Sequence, residues 1–176
     1  AALLERLENA TVFTVDTETD SLESMRARIV GLSFAFAAGE AWYIPVAHDY
    51  LGAPDQLSRD EVLARLKPVL ENPAIGKIGQ HLKYDIHVLA NHGIYLQGFV
   101  FDTMLASYVV DATATRHNMD DMAALYLGAK TTTFEEIAGK GVKQLTFNQV
   151  EVDKAAHYAA EDADITQRLH DVLAPM

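Results

Sequence analysis

Apolar and polar positions alternate through Thr11-Val12-Phe13-Thr14-Val15-Asp16-Thr17-Glu18-Thr19. A period of two is that of a β-strand, and it puts Asp16 and Glu18 on one face. The run Ile29 to Phe36 reads as a second strand and Ala41 to Val46 as a third, joined by the short connection Ala38-Gly39-Glu40. Pro45 cannot donate to a ladder, which assigns the third strand to a sheet edge. The chain is therefore expected to open with an antiparallel meander.

The pattern then shifts to the helical period. Ser58 and Glu61 match a capping box, Leu57 and Val62 occupy the staple positions, and Val62, Leu63, Leu66, Val69 and Leu70 form an apolar face. Pro68 is expected to bend or end this helix. A short strand at 74–78 leads through Gly79 into a helix over about 82–91, stopped by Gly93, and Phe99-Val100-Phe101 is a further strand. Helical patterns follow at 103–110 and 119–127, an irregular Thr-, Gly- and Lys-rich stretch runs to Phe147, and a final helix covers about 151–173. The expected fold is α/β, a mixed five-stranded sheet of meander and then strand–helix units flanked by helices, with the first strand central.

Composition narrows this picture. With 176 residues, 49% of them hydrophobic, the chain is read as one globular domain over 1–176. It has no cysteine, which removes disulfides and thiolate metal sites and fits a reducing compartment. Ala1 to Ala10 lacks an apolar signal core, and no run approaches the roughly 18 apolar residues of a membrane span. A first residue that is alanine and a last one just past a helical pattern lead us to expect an excised module of a larger polypeptide. The 25 acids against 14 Lys and Arg, net −11, argue against tight duplex binding through phosphates alone. They leave room for a phosphodiesterase whose carboxylate-rich site attracts nucleic acid once metals are loaded. Arg116, Lys130, Lys140 and Lys143 fall in the loop-rich stretch before the last helix, on one possible path for a nucleic-acid backbone.

Two more acids join Asp16 and Glu18 as candidates. Asp85 and Asp162 each lie in or beside a largely apolar helical pattern, where an unpaired charge is costly. A pair of hard divalent cations, about 3.5–4 Å apart, would resolve that cost and is a standard device for phosphodiester cleavage. A calcium loop from Asp16 fails, because its sixth position is Ser21 and its twelfth Ala27. The histidines show no zinc spacing: His87 and His92 are five apart, and His48, His117, His157 and His170 are isolated. Tyr158 and Asp162, four apart, share a helix face. Glu161 is expected on another face, in solvent.

Val15-Asp16-Thr17-Glu18-Thr19-Asp20, Gly79-Gln80-His81-Leu82-Lys83-Tyr84-Asp85 and Tyr158-Ala159-Ala160-Glu161-Asp162-Ala163-Asp164, in this order, resemble the three exonuclease motifs of the proofreading domain of bacterial family A DNA polymerases. The connecting segments Tyr43 to His48, Phe101 to Met104 and Thr133 to Gly141 are similar to that domain as well, so the likeness covers essentially the whole chain. The resemblance implies a ribonuclease-H-like fold and release of nucleoside 5′-monophosphates from DNA 3′ ends. It implies two divalent cations, Mg²⁺ or Mn²⁺, with Asp16 bridging both, Glu18 and Asp162 on the one that holds the attacking water, and Asp85 on the other. Tyr158 would orient that water, as in the tyrosine subclass. Leu22 and Phe134 would wedge against the terminal bases, and Arg116 would touch the substrate backbone. His81 stands where the family pattern usually has asparagine, and a histidine there can still donate a hydrogen bond to substrate. The expected partners are a single-stranded DNA 3′ end and the polymerase domain of the same parent chain, with no membrane. Alternatives are an RNA-trimming exonuclease of the ribonuclease D kind and a non-catalytic scaffold.

Overall fold

The computed structural model describes residues 1–176. Five strands, β1 (Val12–Thr19), β2 (Ile29–Ala37), β3 (Glu40–Pro45), β4 (Gly76–Gly79) and β5 (Phe99–Asp102), form one sheet in the order β3-β2-β1-β4-β5. The first three are antiparallel neighbours, whereas β4 runs parallel to β1 and β5 parallel to β4. Strand β1 is central and β3, with Pro45, is an edge, as the pattern predicts. Helices α1 (Ala2–Glu8), α2 (Arg59–Leu70) and α3 (Leu82–Asn91) serve one layer, and α4 (Thr103–Val110), α5 (Met119–Met122), α6 (Phe134–Ala138) and α7 (Val152–Leu173) complete the chain. No helix is long and apolar enough to cross a membrane.

Alternation along β1 decides which layer each residue serves. Phe13 and Val15 join Leu7, Leu63, Leu66, Leu70, Val88 and Leu89 in the main core beneath α1–α3. Thr14 points the other way and donates through Oγ1 to Gln167 of α7, at 2.8 Å. Asp16 and Glu18 share the parity of Thr14 and so face α7. Helix α7 can lie close to the sheet because Ala155, Ala159 and Ala163, one helical turn apart, are fully buried. Two smaller apolar clusters hold it: Val30, Phe147 and Val150 toward its start, Met122, Ala123, Leu169 and Leu173 toward its end.

Local signals were mostly sufficient, with four differences. Ser58 Oγ accepts from Glu61 N at 3.5 Å, but Leu57 is 65% exposed, so the staple is not made. Pro68 does not stop α2, which runs two residues further. The pattern at 119–127 divides into a single α-turn and a π-helical turn over Ala123–Leu127. The stretch read as irregular contains α6, opened by a complete capping box between Thr133 and Glu136. Five residues are too short for periodicity to register, and only the box could have marked them.

Lys77 on β4 is fully buried, its Nζ donating to the Asn72 carbonyl at 2.6 Å and lying 5.8 Å from the Phe13 ring. Burial pushes this ammonium down to about 8. The folded value lies below that of a free lysine, so the folded chain binds the proton more weakly, and stability is gained as pH rises from about 8 toward 10. Asn72 O keeps the Ile75 amide as donor, at 3.3 Å, if the ammonium is removed. Lys77→Met is therefore expected to stabilise the chain at pH 7 by about 1 kcal/mol and to flatten its stability between pH 8 and 10. Urea melts at both pH values check this, and a lower midpoint for the variant at pH 7 would contradict it.

Candidate active site

Asp16 and Glu18 project from the C-terminal half of β1 toward α7, and Asp162 comes down from α7 to meet them. One carboxylate oxygen from each lies within 4.8 Å of the other two. No lysine or arginine pairs with any of them. Glu18 Oε1 is shut away from solvent and has no hydrogen-bond partner. Burial pushes the Asp16 carboxyl up to about 7. Glu18 is raised well above its ordinary value by burial and then by the charges of Asp16, Asp162 and Asp85. Asp162 is raised by burial, Asp16 and Asp120. Three desolvated acids crowded without a counter-charge, one with an orphaned oxygen, fit a hard divalent cation, which takes oxygen ligands.

Asp85 reaches the same region from the opposite layer, since α3 packs on the other side of β1. It is 2% exposed, and its Oδ1 accepts from Thr17 Oγ1 at 2.6 Å and from Thr17 N at 3.2 Å. Burial and the Asp16 charge raise it, while the two Thr17 hydrogen bonds oppose that rise. It stands beside Asp16 without joining the group of three. Tyr158, one turn before Asp162, packs against Phe134 and Phe147, at ring separations of 6.3 and 6.0 Å. Burial and the Asp162 charge raise its phenol, which stays protonated.

The remaining predicted residues divide. Phe134 opens α6 and stacks on Phe147, at 6.4 Å. Leu22 follows β1 and is 97% exposed. Arg116 pairs with Asp121, at 3.2 Å, and with none of the four acids. His81 sits in the left-handed region, φ 57° and ψ 49°, at the start of α3, where its amide donates to Asp102 Oδ1 at 3.1 Å. Asparagine and histidine are among the few non-glycine residues that tolerate this conformation, a physical reason for one to replace the other here. His81→Asn should leave stability within a few tenths of a kcal/mol, whereas the β-branched His81→Val should cost about 1–2 kcal/mol. Paired denaturation curves test this, and equal stability of the two variants would contradict it.

Sequence reasoning missed several supports. Glu161 is not solvated: it accepts from Thr132 N at 2.6 Å and from Thr132 Oγ1 at 3.0 Å, tying the segment that starts α6 to the helix bearing Asp162. Asp102, the cap of α4, also accepts from Leu82 N at 2.8 Å and so sets the start of α3. Tyr43 lies over Gly31, the register partner of Glu18, where any Cβ would collide with the phenol. His48 Nδ1 donates to Val150 O at 3.0 Å, which leaves Nε2 to accept from the Tyr43 hydroxyl at 2.7 Å. Only glycine at 31 hinted at this wall.

A mixed five-stranded sheet of this order, flanked by helices on both faces, defines the ribonuclease-H-like class of folds. The model of a 3′–5′ exonuclease family matches residues 1–176, and the chain belongs to that family. It is 57% identical over 174 residues to DNA polymerase I of Pseudomonas aeruginosa, an alignment that takes 98% of this chain and 19% of that one. The chain thus spans about a fifth of the length of that relative. Among solved structures it is similar in fold to Brucella melitensis NrnC with bound Mg²⁺, with a TM-score of 0.67, 23% identity and coverage of 95% of this chain and 73% of that one. Trypanosoma brucei RNase D is also similar in fold, with a TM-score of 0.76, 15% identity and coverage of 98% and 60%.

Proposed function

We propose that this chain is a single exonuclease domain of a DNA polymerase I-like protein, trimming single-stranded or frayed DNA 3′ ends at the site formed by Asp16, Glu18, Asp85, Tyr158 and Asp162. The observation that carries this reading is the meeting of half-buried Asp16, Glu18 and Asp162 around an unpartnered, buried Glu18 oxygen. Asp16, Glu18 and Asp162 would hold one divalent cation, and Asp16 with Asp85 a second, Mg²⁺ or Mn²⁺. Such cations supply an acidic water and offset charge on the phosphate and on the departing 3′ oxygen.

The protein's own groups do the rest. Rigid elements on both sides of β1 hold the acids in place, so little reorganisation is needed when a phosphate arrives. The Tyr158 phenol, protonated at neutral pH, orients a water by hydrogen bonding rather than removing its proton. Phe134 and exposed Leu22 present apolar surface to unpaired bases without reading sequence. His81 and Arg116 are the candidates for contact with the strand's backbone. Mismatched ends fray more readily, so a site that accepts unpaired termini selects errors through duplex melting. The net charge of −11 supports delivery of the 3′ end by a polymerase domain of the parent chain, and the similarity to a bacterial DNA polymerase I supports a bacterial cytoplasm as the setting.

A time course on a 5′-labelled single-stranded DNA, beside the same-sequence RNA and an EDTA control, tests the proposal. A ladder shortening from the 3′ end, abolished by EDTA and faster on DNA, is the expected result. Faster RNA trimming would replace it with the ribonuclease D reading, and no cleavage in Mg²⁺ or Mn²⁺ with a scaffold or with a module that cleaves only when a polymerase domain holds the substrate.

A further inference from the structure

Thr17 lies between two metal-binding candidates in sequence, yet its side chain points to the opposite layer. There it is 6% exposed and meets Asp85, whose charge would otherwise stand among the apolar side chains of α3 and β1. The hydroxyl, at 2.6 Å, and the amide, at 3.2 Å, both donate to the same oxygen, Oδ1. Two donors on one oxygen fix the position of that oxygen. Threonine suits the task because its β-branched side chain has few χ1 choices, so the hydroxyl is held where the strand puts it. Neither donor reaches Oδ2.

We propose that Thr17 is a positioning residue for Asp85: its hydroxyl holds Oδ1 so that Asp85 offers a single oxygen, Oδ2, to a divalent cation shared with Asp16. One strand then builds the site from both faces, Asp16 and Glu18 contributing ligands on the α7 side and Thr17 aiming the ligand that arrives from α3. Hydrogen bonds that orient a metal ligand typically control metal affinity by about 10–100-fold. The effect should be confined to the Asp85 cation, because the Thr17 hydroxyl donates to Asp85 and to none of the other three acids.

This inference rests on the two-cation reading above, and Mn²⁺ titration separates their failures. Free Mn²⁺ is followed by its electron paramagnetic resonance signal for the parent chain, Thr17→Val and Thr17→Ser, with thermal midpoints in EDTA to verify folding. The parent should bind two Mn²⁺. Thr17→Val, which keeps the branch and loses the hydroxyl, should weaken one of the two by about 10–100-fold and leave the other unchanged, and Thr17→Ser should retain both. Parent-like binding by Thr17→Val, equal weakening of both sites, or loss in Thr17→Ser as large as in Thr17→Val would each overturn the positioning role. A parent chain that binds no Mn²⁺ would overturn the two-cation reading and this inference with it.

Discussion

Asp162→Asn is expected to abolish 3′ trimming while raising the thermal midpoint of the metal-free chain. The substitution keeps the shape of the side chain on α7 and removes one of three carboxylates whose oxygens lie within 4.8 Å of one another. A cation site that loses one of three anionic ligands is left with weak affinity and a displaced water, so the rate should fall by roughly 10³-fold or more. Without metal the same charge is a burden, since burial and the charges of Asp16 and Asp120 already oppose its ionisation. Removing it relieves Asp16 and Glu18 as well. A ligand role therefore has a signature that a structural role lacks: activity lost and metal-free stability gained together. Comparable cleavage by variant and parent would refute the assignment, and a lower midpoint in EDTA would refute the electrostatic account.

The second large effect is a stabilisation by Mg²⁺ that grows as pH rises from 5 to above 7. Asp16 titrates near 7 in the fold, and Glu18, Asp85 and Asp162 are all raised well above the ordinary carboxylate range. A carboxyl that binds its proton more tightly folded than unfolded stabilises the fold at low pH, and that stability is lost as pH climbs from the unfolded value toward the folded one. His48 and His92, lowered by burial, act in the opposite direction below about 6.5. Comparing melts with and without Mg²⁺ at each pH cancels their contribution. Once the acids ionise, a saturating cation should return about 2.7 kcal/mol at a hundredfold excess over its Kd. Differential scanning fluorimetry from pH 5 to 8 reads this directly, and a Mg²⁺ increment that is constant or shrinks with pH would sink it.

The supports of the site differ from its acids in how they could be found. Alternation put Asp16 and Glu18 on one face, and the four-residue spacing put Tyr158 one turn from Asp162, because both periods are properties of the backbone. The same rule misassigned Glu161. A helix wheel says which direction a residue faces and not what stands there, and here the Thr132 segment returns to cover it. Thr17 was invisible for a related reason: its partner lies 68 residues away on a helix of the other layer. His81 was read for its side chain, whereas the fold constrains its backbone.

Strand order and the central place of β1 follow from local periodicity in the chain alone, and the four candidate acids from their residue chemistry together with motifs that resemble the exonuclease family. What the tertiary structure decided is how those acids divide. Three meet on the α7 face, while Asp85 arrives from behind the sheet and is held there by Thr17. That division depends on which layer each helix packs against, and packing is settled by contacts between residues far apart in sequence, whose partners no local period can name.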